Sequence, residues 1–438
     1  MTKALLNNTS HSILRMEWLA AGFLSILSIV FLTSGCVGSD TTEYEEEIDF
    51  DDPELPARLT RAFETWVDER GIYGSAISIV AGDFEWTSET GVVLLDEFPA
   101  YDTSTVQRVG SATKPMTAVI ILQLIEEGLL TLDTTMDNYF PTYPNADQIT
   151  VELLLRHRSG IYDVTLDDLS FIGYIQGNGT TWIEVEDLLL WTYDSGGSIP
   201  SEINSLREGG LIPRGPACAP DACVHYSQPG YQVLGYIIES ITGQSVQDVY
   251  EERIFEPLGM GSTFLPRVDQ TNPPIGYTNV FGLLSSKIAT NLILPSLNSF
   301  NSSALTAGGV NSNVDDLMIF MQALMKGRLV SSNSLDLMQD WMLWWEDEDA
   351  SVKRWDYGMG LNIAYHDDGE DYVSIRHGGS VPGSGCEMLY FPEWDMYVTL
   401  TRNTDQDSVA SSTPRIEERL VRAIRKEPFV KDRDTVEE

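Results

Sequence analysis

Apolar residues recur at helical spacing over 54 to 70, and the apolar run Ser75-Ala-Ile-Ser-Ile-Val-Ala81 follows. Together they predict a helix leading into a buried strand that turns at Gly82-Asp83, with a second strand near 85 to 93. From Ser111 to about Met338 the pattern is mostly helical. Met116, Val119, Ile120, Leu122, Leu124 and Ile125 mark one helix over 116 to 127, and others are expected over 150 to 157, 230 to 242, 245 to 254 and 314 to 325. Gly, Asn, Ser and Pro enrich 170 to 220 and 271 to 303, predicting long irregular connections of the kind that carry binding surfaces. Strands return over 357 to 365, 371 to 376, 385 to 391 and 396 to 401, each bounded by Asp, Gly or Pro, before a closing helix over 414 to 425. Strands at both ends with helices between them predict an α/β (α+β) fold. One antiparallel sheet is built from the N- and C-terminal segments and flanked by helices, and a mostly helical subdomain is inserted in it. The expected domain spans 56 to 430, with a sheet subdomain over 56 to 105 and 355 to 427 and a helical one over 106 to 354.

Composition narrows the function. The 438 residues are 42% hydrophobic and 10% aromatic, ample for a packed core. Sixty-six acidic against 27 basic side chains give a formal charge of -39, which repels nucleic acid and anionic headgroups. Arginine outnumbers lysine 20 to 7, a balance that suits either high salt or an ordinary acidic secreted protein. No internal repeat and no nucleotide-binding glycine loop occurs. Five histidines (His11, His157, His225, His366, His377) show no metal-ligand spacing, so neither a metal nor a cofactor is expected. His157, in Leu-Arg-His-Arg-Ser-Gly, is expected to be a buried side chain bonding loop backbone, and His225 and His366 to be surface or loop residues. The run Glu346-Asp-Glu-Asp349 is expected to be a solvated face.

Lys3 and Arg15 precede a mostly apolar stretch from Trp18 to Leu32, and an acidic linker runs over 37 to 55. This pattern predicts an export signal over 1 to 36. Leu32-Thr-Ser-Gly-Cys36 resembles the lipobox of prokaryotic lipoproteins, although the leucine stands four residues before the cysteine rather than the usual three. The resemblance implies lipidation at Cys36 and an extracytoplasmic, membrane-anchored or secreted protein; a plain signal anchor gives the same location. Cys218 and Cys223, with four residues between them including Pro220, have a spacing that can close a small disulfide, while Cys386 has no evident partner.

The chemistry concentrates at Arg108-Val-Gly-Ser-Ala-Thr-Lys-Pro-Met-Thr-Ala118, because Lys114 is the only lysine between Lys3 and Lys287. Ser111 is expected near a helix N-terminus, with Lys114 one turn on along the same face. A serine hydroxyl attacks only when a neighbouring base takes its proton, and a lysine amine kept neutral by burial can be that base. The helix N-terminus adds N–H groups and positive dipole where an oxyanion would form.

Two further stations follow in order, Tyr226-Ser-Gln-Pro-Gly-Tyr231 before a helix and Arg376-His-Gly-Gly-Ser-Val-Pro-Gly383 at the end of one strand and before another. Ser-x-x-Lys, Tyr-Ser-x and His-x-Gly in this order resemble the serine β-lactamase and penicillin-recognising family. The likeness is nearest to its class C β-lactamase, D,D-carboxypeptidase and esterase branch, and runs from about Arg58 to Ile424. Supporting stretches are Gln123-Leu-Ile-Glu-Glu-Gly-Leu-Leu-Thr-Leu-Asp133, Leu153-Leu-Leu-Arg-His-Arg-Ser-Gly160, Ile254-Phe-Glu-Pro-Leu-Gly-Met260 and Ala307-Gly-Gly-Val-Asn-Ser312.

The resemblance implies a nucleophile at Ser111, a lysine at Lys114, a catalytic tyrosine at Tyr226 and an acyl-enzyme hydrolysed by water. It further implies an oxyanion hole from the N–H groups of Ser111 and Ser380. A phenol beside an ammonium is expected to ionise more readily than usual, so Tyr226 and Lys114 together would move the Ser111 proton. Gly378 and Gly379 let the strand edge approach the substrate. At the third position of the tyrosine motif Gln228 stands where asparagine is usual, lengthening the amide by one methylene. His377-Gly378-Gly379 stands where β-lactamases have lysine-threonine-glycine, which weakens attraction for a substrate carboxylate and favours an uncharged ester or amide. The expected partner is a small-molecule or peptide substrate, and the sequence sets no oligomeric state. The alternative, to which Gln228 gives room, is a catalytically idle surface-anchored binding protein that retains the fold.

Overall fold

The computed structural model describes residues 48–93, 99–167, 181–192, 216–268, 277–278, 290–291, 298–346, 352–367, 371–381, 383–404 and 415–427. The expected export segment, Cys36 included, lies outside them, as does most of the acidic run after Glu346. The described strands are β1 (Gly74–Ala81), β2 (Phe84–Gly91), β3 (Gln107–Arg108), β4 (Tyr277–Thr278), β5 (Thr290–Asn291), β6 (Asn311–Ser312), β7 (Met342–Glu346), β8 (Val352–Tyr357), β9 (Asn362–Asp367), β10 (Asp371–Val381), β11 (Ser384–Phe391) and β12 (Met396–Arg402). Eight of them form one antiparallel sheet in the order β2-β1-β12-β11-β10-β9-β8-β7. The terminal segments meet near one edge, where β1, second in the order, pairs with β12, third, from Ser75↔Arg402 to Ala81↔Met396.

The helices that matter for the site are α1 (Leu55–Arg70), α2 (Lys114–Glu126), α3 (Val151–Leu155), α4 (Gln228–Thr242), α5 (Asn298–Gly308), α6 (Val314–Met325) and α7 (Ile416–Ile424). Alternation along the strands sorts them into two layers. Leu389, Phe391, Val398 and Leu400 point to one face, where they bury Leu59, Phe63 and Trp66 of α1 and Leu420 and Ile424 of α7. Cys386 and Met388 point to the other, into a larger core made with α2, α4 and α6. Every residue of α2 from Lys114 to Leu122 is buried, so this helix runs through the middle of the helical layer with its first turn beside the sheet.

The α/β class and the sheet built from both termini hold as expected. Four local readings change. The strand expected over 357 to 365 is two, because Gly358-Met-Gly360 turns between β8 and β9. A Cβ at Gly358 would lie 1.9 Å from the Met338 carbonyl oxygen, and one at Gly360 (φ 74°) 2.8 Å from Ala118 Cβ, so the turn fits only without side chains. Residues 298–303, the end of the span expected to be irregular, instead begin α5; its Asn, Ser and Thr residues are weak helix formers, and burial between α2 and α4 overrides that preference. β7 extends the sheet to Met342, beyond the boundary expected at 355. His366 is not a surface residue: it is buried on β9, bonded to Ser374 Oγ at 3.0 Å and stacked on Tyr372.

β10 is tied to the outer helices by Arg376, whose guanidinium donates to Glu387 on β11 and to Glu417 on α7, all three buried. Burial raises the Glu417 carboxyl, but Arg376 and Arg415 outweigh it and hold the group down at about 2. A carboxylate depressed on folding contributes stability above its ordinary value near 4.5, and that contribution is lost as pH falls towards about 2. Arg376→Ala strips the cation from two buried carboxylates and is expected to cost about 3–5 kcal/mol. An unfolding free energy from denaturant titration within about 1 kcal/mol of wild type would contradict the buried triad.

Candidate active site

Ser111 is delivered by a tight turn. β3 ends at Arg108, Gly110 takes a left-handed φ of 54°, and a single 3₁₀ turn over Gly110–Thr113 passes into α2 at Lys114. The residue three after Ser111 therefore lies one turn on, facing the same way. Lys114 Nζ is 3.2 Å from Ser111 Oγ, 3.0 Å from Gln228 Oε1 and 2.7 Å from the Ala307 carbonyl oxygen at the end of α5. It also lies over the ring faces of Tyr226 and Tyr231, 4.5 and 5.4 Å from their centroids.

This amine is wholly buried, and loss of hydration pulls its pKa from 10.5 down to about 7, with the Asp163 carboxylate pulling the other way. A neutral amine has two N–H groups and one lone pair. The carbonyl oxygens of Ala307 and Gln228 match the two N–H groups, which leaves the lone pair for the Ser111 proton.

Tyr226 lies just before Ser227, which caps α4 by accepting the Gly230 N–H, and its hydroxyl donates to Ser111 Oγ at 2.7 Å. Its ionisation runs against the expectation of an easily lost proton. Burial raises the phenol far above its ordinary value, and Asp163 and Tyr231 add to that rise. Lys114 sits over the ring face and is itself neutralised by burial, so it gives the phenolic oxygen little positive field. Tyr226 is thus a proton donor at neutral pH. Gln228, first residue of α4, spends its amide oxygen on Lys114, while its backbone N–H donates to Asp163 Oδ2 at 3.0 Å.

The third station lies on a strand, as the resemblance implies. His377, Gly378, Gly379 and Ser380 lie within β10 and pair with Met388, Glu387, Cys386 and Gly385 of β11. A Cβ at Gly379 would lie 1.7 Å from the Val109 carbonyl oxygen and 2.7 Å from Ser111 N, and one at Gly110 would lie 2.9 Å from Ser380 N. The backbone of β10 therefore lies directly against the serine turn, with the N–H groups of Ser111 and Ser380 on the seam. His377 is buried and uncharged: burial and Lys114 pull it down to about 3. Its Nδ1 is 2.7 Å from the Gly378 carbonyl oxygen and so carries the proton, and its Nε2 accepts from Tyr357 OH at 3.2 Å.

The structure thus joins Ser111, Lys114, Tyr226 and Gln228 by direct hydrogen bonds and sets Gly379 and Ser380 against them, while His377 stands behind with both nitrogens occupied. Cys218 and Cys223 are joined in a disulfide, and Cys386 is a buried free thiol whose Sγ lies 3.2 Å from the Val109 carbonyl oxygen. Sequence reasoning missed Asp163, Trp344, Tyr357 and the Ala307 carbonyl. Trp344 sits in a register shift of β7 that turns it onto Tyr226 and Tyr357, with ring centroids 5.7 and 5.0 Å away. Among the described residues no three His, Cys, Asp or Glu side chains come together as a metal-ligand set.

Comparison with known proteins agrees with this geometry. The family model described as Beta-lactamase matches residues 59–421. "Penicillin-binding protein 4" of Amycolatopsis lactamdurans is 31% identical over 211 residues, 47% of this chain and 48% of the relative. "Putative penicillin-binding protein PbpX" of Bacillus subtilis (strain 168) is 29% identical over 302 residues, 68% of this chain and 64% of the relative. The chain thus spans about half to two thirds of the length of these two relatives. The fold is shared with D-amino acid amidase from Ochrobactrum anthropi SV3, with a TM-score of 0.66, 23% identity, and coverage of 85% of this chain and 99% of that one. With 59–421 matched end to end and the three stations meeting around one serine in the order the sequence presents them, the chain belongs to the Beta-lactamase family.

Proposed function

We propose that this protein is a serine hydrolase that acylates Ser111 and prefers an uncharged ester or amide. The observation that carries the reading is the buried Lys114 amine, whose Nζ lies 3.2 Å from Ser111 Oγ and is held there by the carbonyl oxygens of Ala307 and Gln228 at 2.7 and 3.0 Å. In the acylation step the Ser111 proton passes to Lys114 Nζ as Oγ bonds to the substrate carbonyl carbon. The resulting oxyanion is received by the N–H groups of Ser111 and Ser380. Collapse breaks the bond to the leaving group, which takes a proton from Tyr226 OH, and the Lys114 ammonium, over the Tyr226 ring, returns its proton to the phenolate, so that both groups end as they began. Water repeats the sequence on the acyl-enzyme and frees Ser111.

The proposed substrate class rests on His377. Its two nitrogens are taken by Gly378 and Tyr357, and burial keeps it neutral, so no cation at this position meets a substrate carboxylate. The names of the penicillin-binding relatives favour a second reading, acylation by β-lactams, and the two readings make opposite forecasts.

Ser111→Ala is expected to abolish hydrolysis of a short-chain nitrophenyl ester and labelling by a fluorophosphonate, with the fold intact. Retention of more than about 1% of wild-type turnover would refute the assignment. With Lys114 as base, kcat/KM should fall about tenfold per pH step below about 7.

For the substrate class, kcat/KM is compared between that ester and a chromogenic cephalosporin, in wild type and His377→Lys. The ester should win in wild type, and the gap should narrow roughly 10- to 1000-fold in the variant. A wild-type preference for the cephalosporin would overturn the uncharged-substrate reading in favour of the second.

A further inference from the structure

His157 belongs to none of the three stations, yet it touches the catalytic tyrosine on two sides. α3 ends at Leu155, and His157 follows its C-cap in the left-handed conformation, φ 56°, which non-glycine residues adopt only at a free-energy cost. That turn sends the chain back alongside residues 225–228. The His225 N–H donates to the His157 carbonyl oxygen at 2.9 Å, the Ser227 N–H to His157 Nδ1 at 3.1 Å and the Gln228 N–H to Asp163 Oδ2 at 3.0 Å. The backbone on both sides of Tyr226 is therefore held by one short loop.

The imidazole also stacks on the Tyr226 ring, with centroids 4.2 Å apart and planes at 32°. Tyr231, Tyr357 and Trp344 enclose it at 5.0, 4.9 and 5.7 Å. Nδ1 accepts from Ser227, so the ring proton of the neutral form is on Nε2, a fully buried atom with no hydrogen-bond partner among the described residues. Burial and Lys114 keep the ring in that neutral form. A left-handed backbone and an unanswered buried N–H both work against stability. A phenyl ring would stack without accepting from Ser227, and an amide would accept without stacking. Histidine does both.

We propose that His157 is a positioning residue for Tyr226, fixing the angle and depth of the phenol so that its hydroxyl stays on Ser111 Oγ. The inference rests on the serine-hydrolase reading for its kinetic test and needs no catalysis for its spectroscopic one. His157→Asn keeps an acceptor and tolerates the left-handed backbone, while His157→Phe keeps the ring. Each is made alone and with Tyr226→Phe, and kcat and KM for the nitrophenyl ester are measured. Each single change should lower kcat about 10-fold or more with KM within about 3-fold, and in the Tyr226→Phe background should add less than about 2-fold. Unchanged kcat, fully additive losses, or failure of both variants to fold would overturn the proposal, the last by making His157 a residue of stability alone. In ¹³C-tyrosine NMR spectra the Tyr226 ring should flip faster in His157→Asn than in wild type, and an unchanged rate would overturn it whether or not the ester is turned over. An inactive wild type with faster flipping in the variant would instead sink the hydrolase reading and leave this one standing.

Discussion

A lysine amine held out of water sets the conditions that the rest of the site meets. Desolvation makes the Lys114 charge costly, and the surroundings do not restore it: two neutral carbonyl oxygens, a serine hydroxyl and two aromatic faces. The nearest opposing influence is Asp163, itself buried and with its carboxyl raised. Burial of α2 from Lys114 onward follows from this requirement as much as from hydrophobicity, since a helix exposed at its first turn would let water solvate the ammonium. The contacts that keep the amine dry also orient it. Ala307 belongs to α5, Gln228 to α4 and Ser111 to the turn before α2, so three separately folded segments meet at one nitrogen.

The second constraint is steric. The proposed oxyanion site, made of backbone N–H groups, would need a strand edge and a helix turn closer together than side chains allow, and Gly110 and Gly379 permit that approach. β10 must then be kept from drifting. Ladder pairing to β11 fixes it on one side, and the Arg376 pairs to Glu387 and Glu417 fix it to α7 across the sheet. A buried ion triad is a poor way to gain stability and a good way to fix a register. Its position one residue before His377 suits the second role.

Much of this was legible in the chain. Lys114 stood out because lysine is rare, the helix at Val314–Met325 because its apolar period is clean, and the sheet because its strands are bounded by turn residues at both termini. What escaped the sequence had physical reasons. α5 is made of small polar residues that become helical only when buried, and its contribution to the site is a main-chain carbonyl, which no residue type announces. Trp344 reaches Tyr226 through a register irregularity, and no periodicity encodes that. The ionisation of Tyr226 was misjudged because a sequence shows that a phenol and an amine are neighbours but not that both are buried, nor that the amine sits over the ring face. His157 was recognised as a buried histidine bonding backbone, while its stack on Tyr226 emerged only in three dimensions.

The account turns on the charge of one amine, and that charge can be read directly. With lysine labelled by ¹³C at its ε carbon, only seven signals are expected from the whole chain, and Lys114→Arg identifies the one of interest. Titrated by NMR, Lys114 should change protonation near pH 7. A Lys114 signal that stays protonated until pH 10 would contradict a neutral amine as the base that activates Ser111.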